Sequence, residues 1–330
     1  GISLVNNMAK YAITCFMIVR NVLSQGYPFL EAITQALPVC DELLVSDGYS
    51  TDGTYEALLK ASKVNRKIKL FREEWPNRGF HETLRIATNN LRWKCRGDYI
   101  FYIQANEIIH EDSWDYLRVL PEVWPKAITF SLPYILLYGT LKFHEQYRLR
   151  YARNLDYIEA IYDAWALGLK KTFIAREILK SIINPYHLAR IIYKGIHRIY
   201  AFEGGIPKYT VPVILPKPIY RYQAVFPGDT LRKELERAKR WGKREDEDIW
   251  LRKLKELETS CRNHKELMHK AYEDGRRGMT KRGHQVPNYP PELLEVPISE
   301  HPEIMRPLLE DTEHCFYYIR EEIYETMRRL

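Results

Sequence analysis

The sequence predicts an α/β protein: a mostly parallel central sheet flanked by helices over residues 9–225, followed by a mainly helical extension over 226–330. Three observations predict it. Apolar, β-branched runs alternate three times with helix-period segments across short connections, which is the pattern of right-handed βαβ units. The run Asp98-Tyr-Ile-Phe-Tyr-Ile stops abruptly at Gln104-Ala-Asn106-Glu107, as a buried parallel strand does where it reaches a ligand crevice. Beyond Asp229 the apolar runs give way to charged, helical periodicity.

In chain order, Tyr11–Val19 reads as a buried strand ending at Arg20-Asn21, and Phe29–Leu37 as a short helix after the Gly26-Tyr-Pro28 break. Glu42–Ser46 is a second strand, ending at Asp47. Thr51 or Asp52 can cap the helix expected over Tyr55–Ser62. Strand Ile68–Phe71 and helix Phe80–Trp93 lead to the strand at Tyr99. Ala127–Phe143, broken at Pro133 and Gly139, and Gln146–Arg153 read as antiparallel strands, whereas Asp156–Lys171 is irregular. Helices are expected over Arg176–Ile183 and Tyr186–Tyr200, and short strands over Val211–Leu215 and Pro218–Tyr222. A charged helical region from Asp229 to Gly275 with a break near Gly242, a proline-rich connector Pro287–Pro302 and a final helix Glu310–Arg329 complete the chain.

With 330 residues, 45% of them hydrophobic and 28% charged, the chain can bury a substantial core. Its net charge of +7 is interleaved with acids, as in Leu231-Arg-Lys-Glu-Leu-Glu-Arg-Ala-Lys-Arg240. That is a solvated helix laced with ion pairs, and it argues against a nucleic-acid partner. Five scattered cysteines without CxxC spacing point away from a disulfide framework or a zinc site and fit a reducing compartment. No apolar run reaches the ~18 residues that cross a bilayer, so a cytoplasmic protein is expected. The basic, aromatic stretch Arg190–Tyr200 could rest on a membrane surface, or be an ordinary amphipathic helix.

The segment Asp41-Glu-Leu-Leu-Val-Ser-Asp47-Gly-Tyr-Ser50-Thr-Asp52-Gly53-Thr54 resembles the early signature of glycosyltransferase family 2, and Asn77-Arg78-Gly79 its second. Gln104-Ala-Asn106-Glu107 is similar to the family's Asp-any-Asp motif, in the branch that normally reads Gln-Ala-Asp-Glu. Tyr147-Arg-Leu-Arg-Tyr-Ala-Arg153-Asn154, Asp163-Ala164, Ile219-Tyr-Arg221-Tyr222 and His301-Pro302 match that branch more loosely. The resemblance implies a GT-A fold, a UDP- or GDP-type nucleotide-sugar donor and transfer, with inversion, to an acceptor hydroxyl on a glycan, a lipid-linked molecule or a protein. It also implies a divalent cation, Mg²⁺ or Mn²⁺, between motif carboxylate and donor diphosphate.

The residue types suit that chemistry. Asp47 can accept a hydrogen bond from a base N–H, or simply form the turn before Gly48. Asp52 can contact the ribose or cap a helix. Arg78, and Arg20 with Asn21 at the end of the first strand, can face the diphosphate or solvent. At the central motif Gln104 and Asn106 stand where acids would grip a metal, leaving Glu107 the one unambiguous anion. Metal binding at Glu107 and Asn106 is therefore weakened, although Mg²⁺ often needs only one or two carboxylates plus substrate phosphates. Asp163 is the expected general base, with Glu159, Asp156 and Glu145 as rivals. Arg221 stands where the branch leads one to expect a histidine; with Lys217 it could supply part of a cation's role. The alternatives are a degenerate glycosyltransferase-like protein that binds a nucleotide or glycan without turnover, and a nucleotidyltransferase. The latter is disfavoured because no glycine-rich basic loop precedes the first helix.

Overall fold

The computed structural model describes residues 10–170, 210–240, 244–258, 261, 265–270, 272–273 and 294–330. The helices expected over 176–200, the basic, aromatic stretch 190–200 and the break at Gly242 lie outside these residues.

The strands are β1 (Ile13–Val19), β2 (Glu42–Asp47), β3 (Ile68–Arg72), β4 (Tyr99–Tyr102), β5 (Glu107–Ile108), β6 (Thr129–Tyr138), β7 (Leu141–Arg153), β8 (Ile158–Ile161), β9 (Ala166–Leu169), β10 (Thr210–Pro212), β11 (Ile219–Ala224) and β12 (Leu294–Glu295). Ten form one sheet in the order β3-β2-β1-β4-β7-β6-β11-β5, with β10 added to β6 and β12 to β7. The first four run parallel, β7 runs antiparallel to β4 and β6, and β11 returns parallel to β6. Helices α1 (Phe29–Ala36), α2 (Thr54–Val64) and α3 (Phe80–Arg92) make the crossovers of the parallel half. This is the mixed α/β sheet flanked by helices that the GT-A resemblance implies.

Alternation along β1 explains the layers. Cys15, Met17 and Val19 face one core with Leu30 and Ile33 of α1, while Phe16 and Ile18 face the other with Ala87 and Leu91 of α3. A strand buried on both faces has no polar side to show, hence its unbroken apolar run.

Several elements differ from expectation. Pro133 does not break β6, because β10 pairs with residues 129–131 and β11 with residues from Tyr134 on, so its missing N–H falls in the gap between them. The stretch that looked irregular is the hairpin β8–β9, whose turn places Tyr162 at φ 55° and Ala164 at φ 60°. Non-glycine residues seldom take these left-handed values, so no turn signal is visible in the sequence. The last helix is shorter than expected, Glu322–Arg329, because the Asp311 carboxylate accepts from the N–H groups of Glu313 and His314 and holds a turn instead. Cys261 and Cys315 are paired, their Cα atoms 5.7 Å apart, where no disulfide was expected. Cys15, Cys40 and Cys95 are buried thiols.

The expected division at 225/226 is crossed by the packing. Met305, Leu308, Tyr317, Ile323 and Met327 belong to the same core as β1. Buried Glu31 of α1 accepts from the Tyr317 hydroxyl at 2.8 Å and lies 3.6 Å from Arg320, and His301 Nδ1 meets the Tyr222 hydroxyl at 2.7 Å.

Candidate functional site

The carboxyl ends of β2, β1 and β4 lie side by side, and the residues singled out in the sequence gather there in two groups. In the first, Asp47 ends β2 fully buried. Its two oxygens accept from the Ser50 N–H at 3.3 and 3.1 Å, and one of them lies 3.3 Å from Arg72 Nε. Arg72, at the paired position on β3, lies over the rings of Tyr49 and Tyr55 at 4.7 and 3.9 Å. A base N–H would share a carboxylate that already has partners.

Asn21, at φ 52°, accepts from the Thr51 N–H at 2.8 Å, while its own N–H donates to the Ser50 hydroxyl at 2.8 Å. Asp52 accepts from the Ser24 and Thr54 N–H groups at 2.7 and 3.1 Å. Burial alone would raise the Asp52 carboxyl, but these hydrogen bonds outweigh it and hold it below its ordinary value. Asn21 and Asp52 thus tie the loop after β1 to the start of α2. Arg20 is exposed, its guanidinium 6.0 Å from the Trp75 ring, and Arg78 is exposed as well. Trp75 packs so closely on Gly48 that a Cβ there would sit 2.7 Å from the indole, so only glycine leaves room for the ring.

The second group surrounds Glu107. After β4 the chain turns, the Gln104 N–H donating to Glu107 at 3.0 Å, and Glu107 enters β5 opposite Arg221 of β11. Its side chain is 1% exposed and surrounded by guanidinium groups: Arg150 Nη2 at 3.2 Å, Arg148 Nη1 at 3.7 Å and Arg221 Nε at 3.8 Å. Arg221 also donates to the Gln104 side-chain oxygen at 3.1 Å, so the segment returns to the crevice as expected. Lys217 does not; it pairs with Glu300. Asn106 is buried, its amide donating to the Tyr222 carbonyl at 2.8 Å while the Tyr222 N–H returns to the Asn106 carbonyl at 2.9 Å.

Arg148 and Arg150 carried no assigned role in the sequence. Two arginines at alternate positions of one strand share a face, and that spacing was the available signal. Burial first, then the neighbouring Arg221 and Arg150, push the Arg148 guanidinium down to about 8. Burial also lowers Arg221 in spite of Glu107, whereas at Arg150 the adjacent Glu107 outweighs burial and raises it. Guanidinium groups stay protonated in proteins, so the downward push marks Arg148 and Arg221 as charges held out of water. Among the described residues, each arginine also keeps one buried N–H nitrogen without a hydrogen-bond partner: Arg148 Nη1, Arg150 Nε and Arg221 Nε.

The β8–β9 turn leans on this cluster. The Ala164 carbonyl accepts from Arg150 at 3.0 Å, and the Trp165 ring stacks on Arg148 at 3.6 Å. Just before them Asp163 is 30% exposed, one carboxylate oxygen 3.6 Å from His81 Nδ1 at the start of α3. Of its rivals, Glu145 is paired with Lys142 at 2.6 Å, Glu159 lies on β8, and Asp156 lies in the turn before it.

A divalent cation does not fit between Glu107 and Asn106 as they stand. The carboxylate is enclosed by three guanidinium groups and a backbone N–H, and the Asn106 amide is turned to a carbonyl. Positive neighbours at this range repel a second cation. The two residues named for a metal instead bind arginine and backbone.

No protein-family model matches the chain, and no curated protein does. Among solved structures, S. aureus TarS 1–349 in complex with UDP is 16% identical over 38% of this chain and 35% of that chain, at a TM-score of 0.28. The mannosyltransferase PcManGT from Pyrobaculum calidifontis, solved with GDP-Man and Mn²⁺, is 18% identical over 37% of this chain and 35% of that one, also at 0.28. The match thus spans about a third of each. Likenesses of this extent decide nothing about function, and the fold class rests on the sheet order itself.

Proposed function

We propose that the protein is a glycosyltransferase that moves a sugar from a nucleotide-diphosphate-sugar to an acceptor hydroxyl, with inversion and with Asp163 as general base. The observation that carries the reading is the position of Asp163: a carboxylate about a third exposed, on a turn tied to the arginine cluster beyond the end of β4. The crevice at the strand ends would take the nucleotide, its diphosphate would lie towards the arginines, and Asp163 would face the acceptor from the hairpin. An in-line displacement needs a base opposite the leaving group, within hydrogen-bond reach of the hydroxyl. Asp47, through Ser50 and Arg72, would order the loop that holds the base; Asn21 and Asp52 would hold that loop to α2.

The test is Asp163→Asn. Removing a proton acceptor weakens the transition state and leaves the ground state largely intact, so transfer is expected to fall by about a hundredfold or more with donor affinity retained. Turnover at the wild-type rate would move the base to another acid. A second reading, a nucleotide- or glycan-binding protein without turnover, is favoured by the commitment of Asn106 to Tyr222. Failure to hydrolyse or transfer any bound donor would select it.

A further inference from the structure

We infer that Arg148, Arg150 and Arg221, gathered around Glu107, form a metal-free seat for the donor diphosphate. The inference rests on the nucleotide-sugar reading above and says how that site manages charge. Three guanidinium groups and one carboxylate leave a surplus of two positive charges, the charge a divalent cation would bring. The surplus is buried: the side chains of Arg148 and Arg150 are fully covered, and Arg221 is 17% exposed.

An uncompensated buried charge is costly, and so is a buried donor left without an acceptor. The cluster has both among the described residues: Arg148 Nη1 and Arg221 Nε lie 3.7 and 3.8 Å from Glu107, beyond hydrogen-bond reach, and Arg150 Nε has no acceptor. Its other needs are met. Gln146, turned so that its amide oxygen faces the guanidinium, accepts from Arg148 Nε at 2.7 Å and Nη2 at 2.6 Å. Arg150 donates to Ala164 and Glu107, and Arg221 to Gln104. What the described residues do not supply is a second anion, and a diphosphate brings two charges to the cluster and acceptor oxygens to Arg221.

The three arginines have different parts. Arg221, partly open to the crevice, is the residue that would touch phosphate. Arg148 and Arg150 are positioning residues behind it: they absorb Glu107, which would otherwise repel the ligand, and Trp165 covers the Arg148 guanidinium. Glu107 in turn keeps the three guanidinium groups from scattering. This division accounts for Gln104 and Asn106 in place of acids, since a carboxylate at either position would halve the surplus and at both would cancel it.

The experiment is thermal unfolding of the full chain with UDP, GDP, uridine or guanosine, in EDTA or in millimolar Mg²⁺ or Mn²⁺, for wild type, Arg221→Ala and Arg221→Lys. A nucleoside diphosphate is expected to raise Tm as much in EDTA as with metal. Arg221→Ala should weaken that ligand by about ten- to a hundredfold and leave nucleoside binding alone, with Arg221→Lys in between. The wild-type EDTA arm needs no variant, so a poorly folded Arg221→Ala does not spoil the test. A diphosphate shift that requires metal, or one indifferent to Arg221, overturns the seat and leaves the glycosyltransferase reading standing. If no nucleoside diphosphate shifts Tm in either condition, both fall.

Discussion

Asp47 is a side chain at which stability and the proposed nucleotide site meet. Its carboxylate holds the buried Ser50 N–H and the exposed Arg72, so Asp47→Ala leaves a buried donor without its acceptor. That orphaned group costs about 1–3 kcal/mol, and the urea midpoint is expected to fall with the m-value unchanged. The Tm rise given by the cognate nucleoside diphosphate should disappear in the same variant. A surviving ligand shift would mean that the base is read elsewhere. The strand-end residues Asp47, Gln104 and Asn106 were legible because an apolar run followed by polar residues marks where a parallel strand stops, whereas Arg221, inside β11, was picked out only by the family resemblance. The partnership of Asp47 with Arg72 was not, since it depends on which strand lies beside β2 and in what register. Arg148 and Arg150 were legible only as an odd spacing of charge in a strand that should have been apolar there.

The β8–β9 hairpin is the element on which the proposed chemistry turns. Asp163 sits between two residues in left-handed backbone conformations, an arrangement that persists only when the surroundings hold it. Those surroundings are the Ala164 carbonyl on Arg150 and the Trp165 ring on Arg148, the latter contact of a kind that contributes ~0.5–2 kcal/mol. Trp165→Ala should therefore loosen the turn and lower kcat about tenfold, through misplacement of the base. Separate measurement of kcat and donor Kd checks this; unchanged turnover would show that the turn is fixed by Arg150 alone. The hairpin was invisible as a hairpin because its turn has no Asn-Gly or Gly at the left-handed positions, and its arms are only four residues each. The parallel half, by contrast, announced itself through β-branched runs long enough to exclude other readings.

At the scale of the whole molecule, the carboxyl-terminal segment is part of the core, and two buried groups link its docking to pH. Burial raises Asp229, whose oxygens accept from the Tyr317 N–H at 3.3 and 3.1 Å, to about 7 against the pull of Lys233. The folded protein then holds this proton more tightly than the unfolded chain. The contribution is complete below about pH 4 and is lost as pH rises through 7, by up to ~4 kcal/mol. His301 has the opposite sign: burial lowers it to about 4. Its contribution is complete above about pH 6.5 and is lost as pH falls through 4, by up to ~3 kcal/mol. The two slopes oppose each other between about pH 4 and 6.5. Asp229→Asn is expected to leave stability rising with pH in that window and His301→Gln to leave it falling, as denaturant midpoints at a series of pH values will show. None of this docking could be read from the chain, because Glu31–Tyr317 and Tyr222–His301 join positions 286 and 79 residues apart.

The order of the sheet also bears on how copies of the protein behave toward one another. β3 is an outer strand of five residues, and it carries Lys69 and Arg72 with their chain positions exposed. A second molecule adding to this border would bring lysine and arginine side chains near their own kind, while short, charged borders are poor templates for strand addition. The arginine that steadies Asp47 thus also discourages polymerisation through the sheet, and replacing it by an apolar residue would expose the protein to aggregation as well as leave Asp47 without its cation.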